Sequence, residues 1–331
     1  MTYSVGGLIQ AADYNGFANG AGNCIGNVWN VGSTDLGWGQ TTFSNVSVGG
    51  TVTATQWASL VNTLSAMGSQ TGTTITSRTA PVAGNTISIL NNVATDINNI
   101  TNNRGNAIGV GSTVSAFSGT TSKTAATGSG ANAWTITFTH TVTFADAASM
   151  RYFWNAGGIV KVLYGKTSTG TDHDPDWNTL AGQCGVINLT GRVNSNSQLI
   201  AGTTYTGTTR VGGSGGTQTT LATTTGWYNL TASPTTVFQL NNTTAPYTPE
   251  YIRTTATATS ATVLTLVTTW VDDGTSGAGK TSNISGGTAT TSPATSVTGT
   301  APTTLVNVIL PSTTYLTTAS WGTPTIAASV A

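Results

Sequence analysis

Charged side chains are scarce in this chain of 331 residues: they make up 6% of it, where ordinary soluble domains carry about a quarter. Basic and acidic residues number ten each, so the formal net charge is +0. Without an excess of Lys and Arg, a nucleic-acid-binding protein held by its own electrostatic field is excluded. The same balance excludes an acidic solvating tail.

Cysteine and long apolar runs are also missing or rare. Cys24 and Cys184 are the two cysteines. Because a secreted disulfide scaffold needs more of them, we expect both thiols to be reduced and buried. No run of about 20 apolar residues occurs, so no membrane span is expected. Residues 1–6 lack a basic segment followed by an apolar one, so no signal peptide is predicted.

Residues for acid–base chemistry are few. Glu250 is the one glutamate, and His140 and His173 are the two histidines. A nucleophilic triad needs a histidine backed by an acid, and His140 instead falls on the apolar face of a predicted strand. We therefore interpret His140 as a hydrogen-bonded core residue. The sequence predicts no enzyme, no catalytic residue and no cofactor.

One polar cluster, at residues 171–176, allows two interpretations. Asp172, Asp174 and Asp176 are spaced like the start of a calcium loop, with His173 among them. No glycine follows at the sixth position, however, and Gln183 stands where the closing acid belongs. The pattern favours a turn that ends in a helix N-cap at Asp176, and cation binding remains the alternative.

Three further features could carry function but favour structural roles. Asp272 and Asp273 follow a predicted strand and precede a glycine, which is typical of a turn. The glycine-rich run 212–216 lacks the lysine and the strand–loop–helix context of a phosphate-binding loop. Five tryptophans could stack on sugars, although core packing is the favoured interpretation. They are Trp29, Trp38, Trp177, Trp227 and Trp321.

The first third of the chain shows helical periodicity. Thr53 and Gln56 form a capping-box pattern ahead of an apolar stripe that ends near Gly68. Two other helices are predicted, over residues 12–29, where glycines interrupt the pattern, and over residues 86–103. Residues 109–133 have no periodicity and are interpreted as a linker.

From Trp134 the apolar period changes from 3.6 to 2, and five threonines alternate with the apolar residues of 134–144. Hairpins are predicted over 152–164 and 251–271, and a short helix over 176–180. The other predicted strands are 186–189, 226–230, 236–240, 305–310, 315–316 and 321.

The predicted fold class is mainly β: an antiparallel β-sandwich or jelly-roll-like domain after a small helical region. The expected domains are residues 1–111, for docking or oligomerisation, and residues 112–331, with a second break near 195–220 as an alternative.

Several segments together carry a resemblance to one group of proteins. They are the glycine turn at 32–40, the Thr-Ala-Thr-Gln-Trp helix entry at 53–57, the segment 144–158 with its Arg-Tyr-Phe-Trp-Asn-Ala-Gly-Gly run, and the segments 176–180, 226–231, 270–273 and 311–315. The chain resembles virion structural proteins of marine and cyanobacterial tailed phages. The resemblance is patchy but reaches both ends of the chain, and Trp154 replaces a Phe of the pattern. It implies a non-enzymatic, tail-associated particle component, and it carries over no catalytic residue.

The leading hypothesis is a multi-copy bacteriophage structural protein of the tail, baseplate, neck or fibre, located in the virion and assembled in the host cytoplasm. Its expected partners are copies of itself and other virion proteins. The alternatives are a capsid decoration protein and an adhesin that binds host polysaccharide. A hydrolase that depends on His173 is the least favoured.

Overall fold

The computed structural model describes most of the chain. The described residues are 10–30, 36–84, 92–117, 134–166, 174–193, 197–244, 248, 250–272 and 302–331. Within them the fold is mainly β, with thirteen strands and five α-helices. All the strands within its sheets pair antiparallel. The predicted β-rich class is confirmed at this level.

The helices and strands follow one another along the chain in a mixed order. The helices are α1 (Ala11–Asn19), α2 (Ala54–Thr71), α3 (Val93–Asn103), α4 (Ala147–Asn155) and α5 (Asp174–Cys184), with 3₁₀ turns at Ile25–Asn27 and Trp227–Asn229. The strands are β1 (Val110–Phe117), β2 (Trp134–Thr143), β3 (Ile159–Gly165), β4 (Val186–Leu189), β5 (Gln198–Ile200), β6 (Thr203–Tyr205), β7 (Thr208–Val211), β8 (Thr217–Leu221), β9 (Thr235–Asn241), β10 (Tyr251–Ser260), β11 (Val263–Asp272), β12 (Thr303–Pro311) and β13 (Thr325–Val330).

Two large sheets and one small one account for these strands. The five-stranded sheet has the order β1-β12-β3-β4-β7, and the six-stranded sheet has the order β13-β2-β11-β10-β9-β8. Strands β5 and β6 form a separate pair. The predicted strand 134–144 and the predicted hairpin 251–271 are confirmed as β2 and as β10–β11.

The two large sheets differ in burial. Side chains of β11 alternate strictly between buried and half-buried, whereas all nine residues of β12 are buried. Tyr164 on β3 joins the sheets: its ring stacks on Phe238 of β9 at 5.9 Å, and its hydroxyl lies 2.7 Å from that of Thr254 on β10. The same hydrophobic core also includes residues of α1, α2, α3 and α4. The predicted division after residue 111 stays a prediction.

Helix α2 confirms its predicted start and corrects its predicted end. The Thr53 side chain accepts a hydrogen bond from the Gln56 amide, and the Gln56 side chain accepts one from the Thr53 amide. The helix continues past Gly68 to Thr71, because the left-handed cap with φ +64° falls at Gly72. Gly68 serves packing instead, since a Cβ there would lie 3.1 Å from the Thr73 carbonyl oxygen.

Of the other two N-terminal helices, one is shorter than predicted and the other is described only in its second part. The helix expected over 12–29 ends at Asn19, because Gly20 packs directly on the Gly16 backbone and the chain then turns. Helix α3 begins at Val93, after Asn92 in a left-handed conformation. Residues 85–91, where this helix was predicted to start, lie outside the described residues.

The prediction of a hairpin over 152–164 is wrong, because a helix, α4, precedes β3 there. The Asp146 side chain caps α4 by accepting from the Ser149 amide at 2.7 Å. The helix then buries Met150, Phe153 and Trp154 on one face. Gly157, at φ +100°, lies in the turn between α4 and β3, and not in the predicted turn of a hairpin.

Four smaller predictions are also corrected. The linker expected over 109–133 begins with β1, which pairs with β12, while residues 118–133 lie outside the described part of the chain. The strand expected at 226–230 contains a 3₁₀ turn, and residues 315–316 and 321 are not in strands. Helix α5 starts at Asp174, so Asp176 is inside the helix rather than its N-cap.

Candidate functional site

His140 lies in the core, as predicted. It is fully buried on β2, and its ring nitrogens have no side-chain hydrogen-bond partner among the described residues. Its paired neighbours, Leu266 and Ala328, supply no polar side chain. Burial lowers the pKa of His140 to about 4, and a hydrogen bond with the Thr304 backbone offsets part of this effect. The imidazole is therefore neutral at pH 7.

The predicted polar cluster at 171–176 lies partly outside the described residues, which include neither Asp172 nor His173. Asp174 begins α5, and Asp176 is half-buried in its first turn. Within the described residues, no three His, Cys, Asp or Glu side chains come together as metal ligands.

Of the remaining acidic candidates, only Asp272 and Glu250 belong to the described residues, and both are buried. Asp272 is the last residue of β11 and is buried, and Asp273 lies outside the described residues. Glu250 is buried beside Asn242, whose amide donates to its carboxylate at 3.4 Å.

The glycine-rich run 212–216 is a tight loop against the end of α5. Four of its glycines have positive φ, and Gly213 packs against the Gln183 carbonyl. Arg210, just before the run, donates to the carbonyls of Gln183 and Cys184. The run connects strands β7 and β8, so it lacks the strand–loop–helix arrangement of a phosphate-binding loop.

Both cysteines are free and buried, as predicted. Burial raises the pKa of Cys24 and raises that of Cys184 strongly. Both side chains are therefore protonated thiols at pH 7 and poor nucleophiles.

Four of the five tryptophans considered for sugar stacking are buried, which confirms core packing for them. They are Trp29, Trp38, Trp177 and Trp321. Trp227 is the half-buried one, and its ring stacks on Trp154 at 5.6 Å with an interplanar angle of 14°.

A groove of about 510 Å³ runs between α2 and residues 41–44. Hydroxyl, amide and aromatic groups line it, and none of its lining residues is charged. They are Tyr14, Trp29, Thr41, Thr42, Phe43, Ser44, Thr55, Gln56, Ser59, Thr63 and Thr317. Its chemistry suits a neutral polar surface rather than an ion or a reaction centre.

A second feature, the arginine–aromatic cluster, consists of Arg104, Arg192, Trp227 and Tyr228. Arg104 caps the end of α3, Arg192 follows β4, and the two aromatic residues form a 3₁₀ turn. The Tyr228 hydroxyl donates to the Asn155 side-chain oxygen at 2.6 Å, and Tyr228 is 44% exposed.

The electrostatics of this cluster are unusual for the molecule. Burial lowers the pKa of Arg192, the nearby positive charge of Arg104 lowers it further, and the Tyr228 phenol partly offsets both. Burial also lowers the pKa of Arg104. Sequence reasoning missed this cluster, because its residues come from three distant segments and no local pattern links them.

No protein-family model, no curated protein and no solved structure matches this chain. Among the described residues, no helix is both long and apolar enough to cross a membrane.

Proposed function

We propose that this chain is a structural subunit of a tailed-bacteriophage particle, present in many copies and associated with the tail. Its two large sheets would form a β-sandwich, and its uncharged surfaces would contact neighbouring copies and other virion proteins. Assembly would take place in the host cytoplasm, and the role would be mechanical rather than catalytic.

The observation that carries this proposal is the neutrality of the surface. Charged residues make up only 6% of the chain, and the fold removes several of these from solvent. The buried charged residues are Asp13, Asp96, Lys166, Glu250 and Asp272. A freely diffusing protein normally stays soluble through surface charge, so a surface this neutral favours a subunit that neighbours cover.

Exposed apolar side chains give the proposal a second support. Ile108 is 49% exposed, Val110 47% and Leu199 40%. Ile108 and Leu199 lie next to an isolated β-bridge between Ala107 and Ile200, where the Ala107 amide donates to the Leu199 carbonyl. Because solvent contact with apolar side chains is unfavourable, this region suits a contact between copies.

Threonine pairs between strands suit a subunit with a mechanical role. The Thr254 and Thr268 hydroxyls lie 2.9 Å apart on β10 and β11, and those of Thr259 and Thr265 lie 2.8 Å apart on the same strands. Such cross-strand pairs stabilise a sheet without charge.

Quantitative mass spectrometry of purified particles, produced from the phage genome that encodes this chain, tests the proposal. We expect the chain in the particles at several copies per virion, in the tail fraction after heads and tails are separated. A non-structural protein of the same genome serves as the contamination control. Recovery with the heads would favour capsid decoration instead. Presence in the lysate but not in particles would contradict a structural role.

A further inference from the structure

We propose that the arginine–aromatic cluster binds the carboxylate of an acidic saccharide, such as a uronic acid unit. The inference goes beyond a structural role in a particle and depends only on side chains of this chain. It starts from a contrast among the six arginines.

Four arginines have a partner for the guanidinium group. Arg78 pairs with Asp96, and Arg210 donates to carbonyls at the end of α5. Arg151 and Arg253 lie over the rings of Tyr152 and Tyr251, at 5.1 and 5.4 Å from the ring centroids. These four contacts account for their positions in the fold.

Arg104 and Arg192 differ from the other four. Neither guanidinium forms an ion pair, a hydrogen bond or a ring contact with any described residue. Nη2 of Arg192 is buried without an acceptor, as is Nε of Arg253, but the Arg253 guanidinium still has its contact with the Tyr251 ring. The two positive charges repel each other, and their N–H groups lack hydrogen-bond acceptors. A bound anion would supply both the opposite charge and the acceptors.

The fold holds both arginines in place. The Arg104 carbonyl accepts a hydrogen bond from the Trp38 indole at 3.2 Å. The Arg192 guanidinium lies on Gly105, where a Cβ would be only 2.5 Å from Nε, so this approach requires glycine. A Cβ at Gly226 would be 2.5 Å from the Arg192 carbonyl carbon, which fixes the backbone as well. The backbone of both arginines and the approach of the Arg192 side chain to Gly105 are therefore set by the fold.

The neighbouring side chains indicate a saccharide rather than a simple ion. Tyr228 follows Gly226 by two residues, interacts electrostatically with both arginines and is 44% exposed. Trp227 retains exposed surface and is supported from behind by its stack on Trp154. A planar guanidinium can bind a carboxylate through two hydrogen bonds, and aromatic rings pack against sugar rings. The carboxylate of an acidic sugar would thus bind the arginines, and its ring would pack against the aromatic side chains.

Calorimetric titration of the full chain with trigalacturonic acid tests this assignment, with neutral galactotriose and triglutamate peptide as comparison ligands. We expect trigalacturonic acid to bind and galactotriose not to bind. Arg104→Gln should weaken binding at least about ten-fold, because it removes the charge-assisted hydrogen bonds. Arg104→Lys should cause a smaller loss, since it keeps the charge but not the planar group.

The matched control is Arg253→Gln, which removes one positive charge on β10 and should leave the affinity within about two-fold. Thermal unfolding of each variant confirms that it is folded, and Tyr228→Ser provides a second test if Arg104→Gln does not fold. Three results would overturn the proposal: no binding of trigalacturonic acid, equal weakening by Arg104→Gln and Arg253→Gln, or triglutamate binding as tightly as the saccharide. The last result would indicate a protein partner instead.

Discussion

In the helical region, Arg78 and Asp96 form an ion pair at 2.6 Å with side chains only 5% and 6% exposed. Between the two large sheets, by contrast, a set of uncharged polar groups is buried. There, the Tyr164, Thr254 and Thr268 hydroxyls form a chain, and His140 is neutral. The contrast shows two ways in which polar side chains are buried in one core. Arg78 and Asp96 are buried as a pair of opposite charges, whereas the hydroxyls between the sheets are buried as hydrogen-bonded neutral groups.

The ion pair should give the largest effect. Arg78→Met leaves the Asp96 carboxylate buried without its partner, so we expect the free energy of unfolding in urea to fall by about 4 kcal/mol. The double variant Arg78→Met/Asp96→Asn removes both charges and retains an acceptor for the Thr76 amide, which donates to Asp96 at 3.1 Å. It should recover most of the loss. Equal destabilisation of the single and double variants would show that the charge itself is not what matters.

The neutral histidine should give the next effect, which depends on pH. The pKa of His140 is about 4 in the folded chain and about 6.5 when unfolded, so the unfolded state binds more protons between these values. Its contribution is intact above pH 6.5 and is lost as the pH falls to 4, by about 3 kcal/mol in total.

Other groups also titrate in this range, so the measurement is the difference between wild type and His140→Leu in urea unfolding at several pH values. Phe138→Leu, a change at a fully buried neighbour on the same strand that does not titrate, is the control and should retain the wild-type pH dependence of the free energy of unfolding. If the free energy of unfolding depended on pH in His140→Leu as it does in the wild type, His140 would not be the titrating group.

The hydroxyl chain should give the smallest effect. Tyr164→Phe removes one hydrogen bond to Thr254 and should lower the free energy of unfolding by about 1 kcal/mol. Tyr315→Phe, at a residue 37% exposed, is the matched control and should stay within about 0.5 kcal/mol of wild type. If both substitutions had the same effect, the hydrogen bond between Tyr164 and Thr254 would contribute nothing measurable to stability.

Local patterns predicted those elements whose stabilising contacts lie close in sequence. The Thr53–Gln56 capping box and the alternation of β2 are of this kind, as is the β10–β11 hairpin with its short turn. Residues 151–158 were wrongly predicted as part of a hairpin because Tyr, Phe and Trp favour strands. The Asp146 cap and the burial of one face stabilise a helix there instead.

The arginine–aromatic cluster could not be predicted, because Arg192 meets Gly105 only after α3 and the loop after β4 come together. Strand β13 was missed because its Thr-Ile-Ala-Ala-Ser-Val sequence is short and weakly apolar. It is defined by its pairing with β2, a contact between residues far apart in the chain.

Sedimentation equilibrium of the purified chain tests the central claim, that uncharged surfaces of this protein contact neighbouring copies. We expect a mass that rises with concentration to a multiple of 33.5 kDa. Because the contacts carry little charge, the association should change little between about 0.05 and about 0.5 M NaCl. A monomer of 33.5 kDa at every concentration and salt level would contradict the claim.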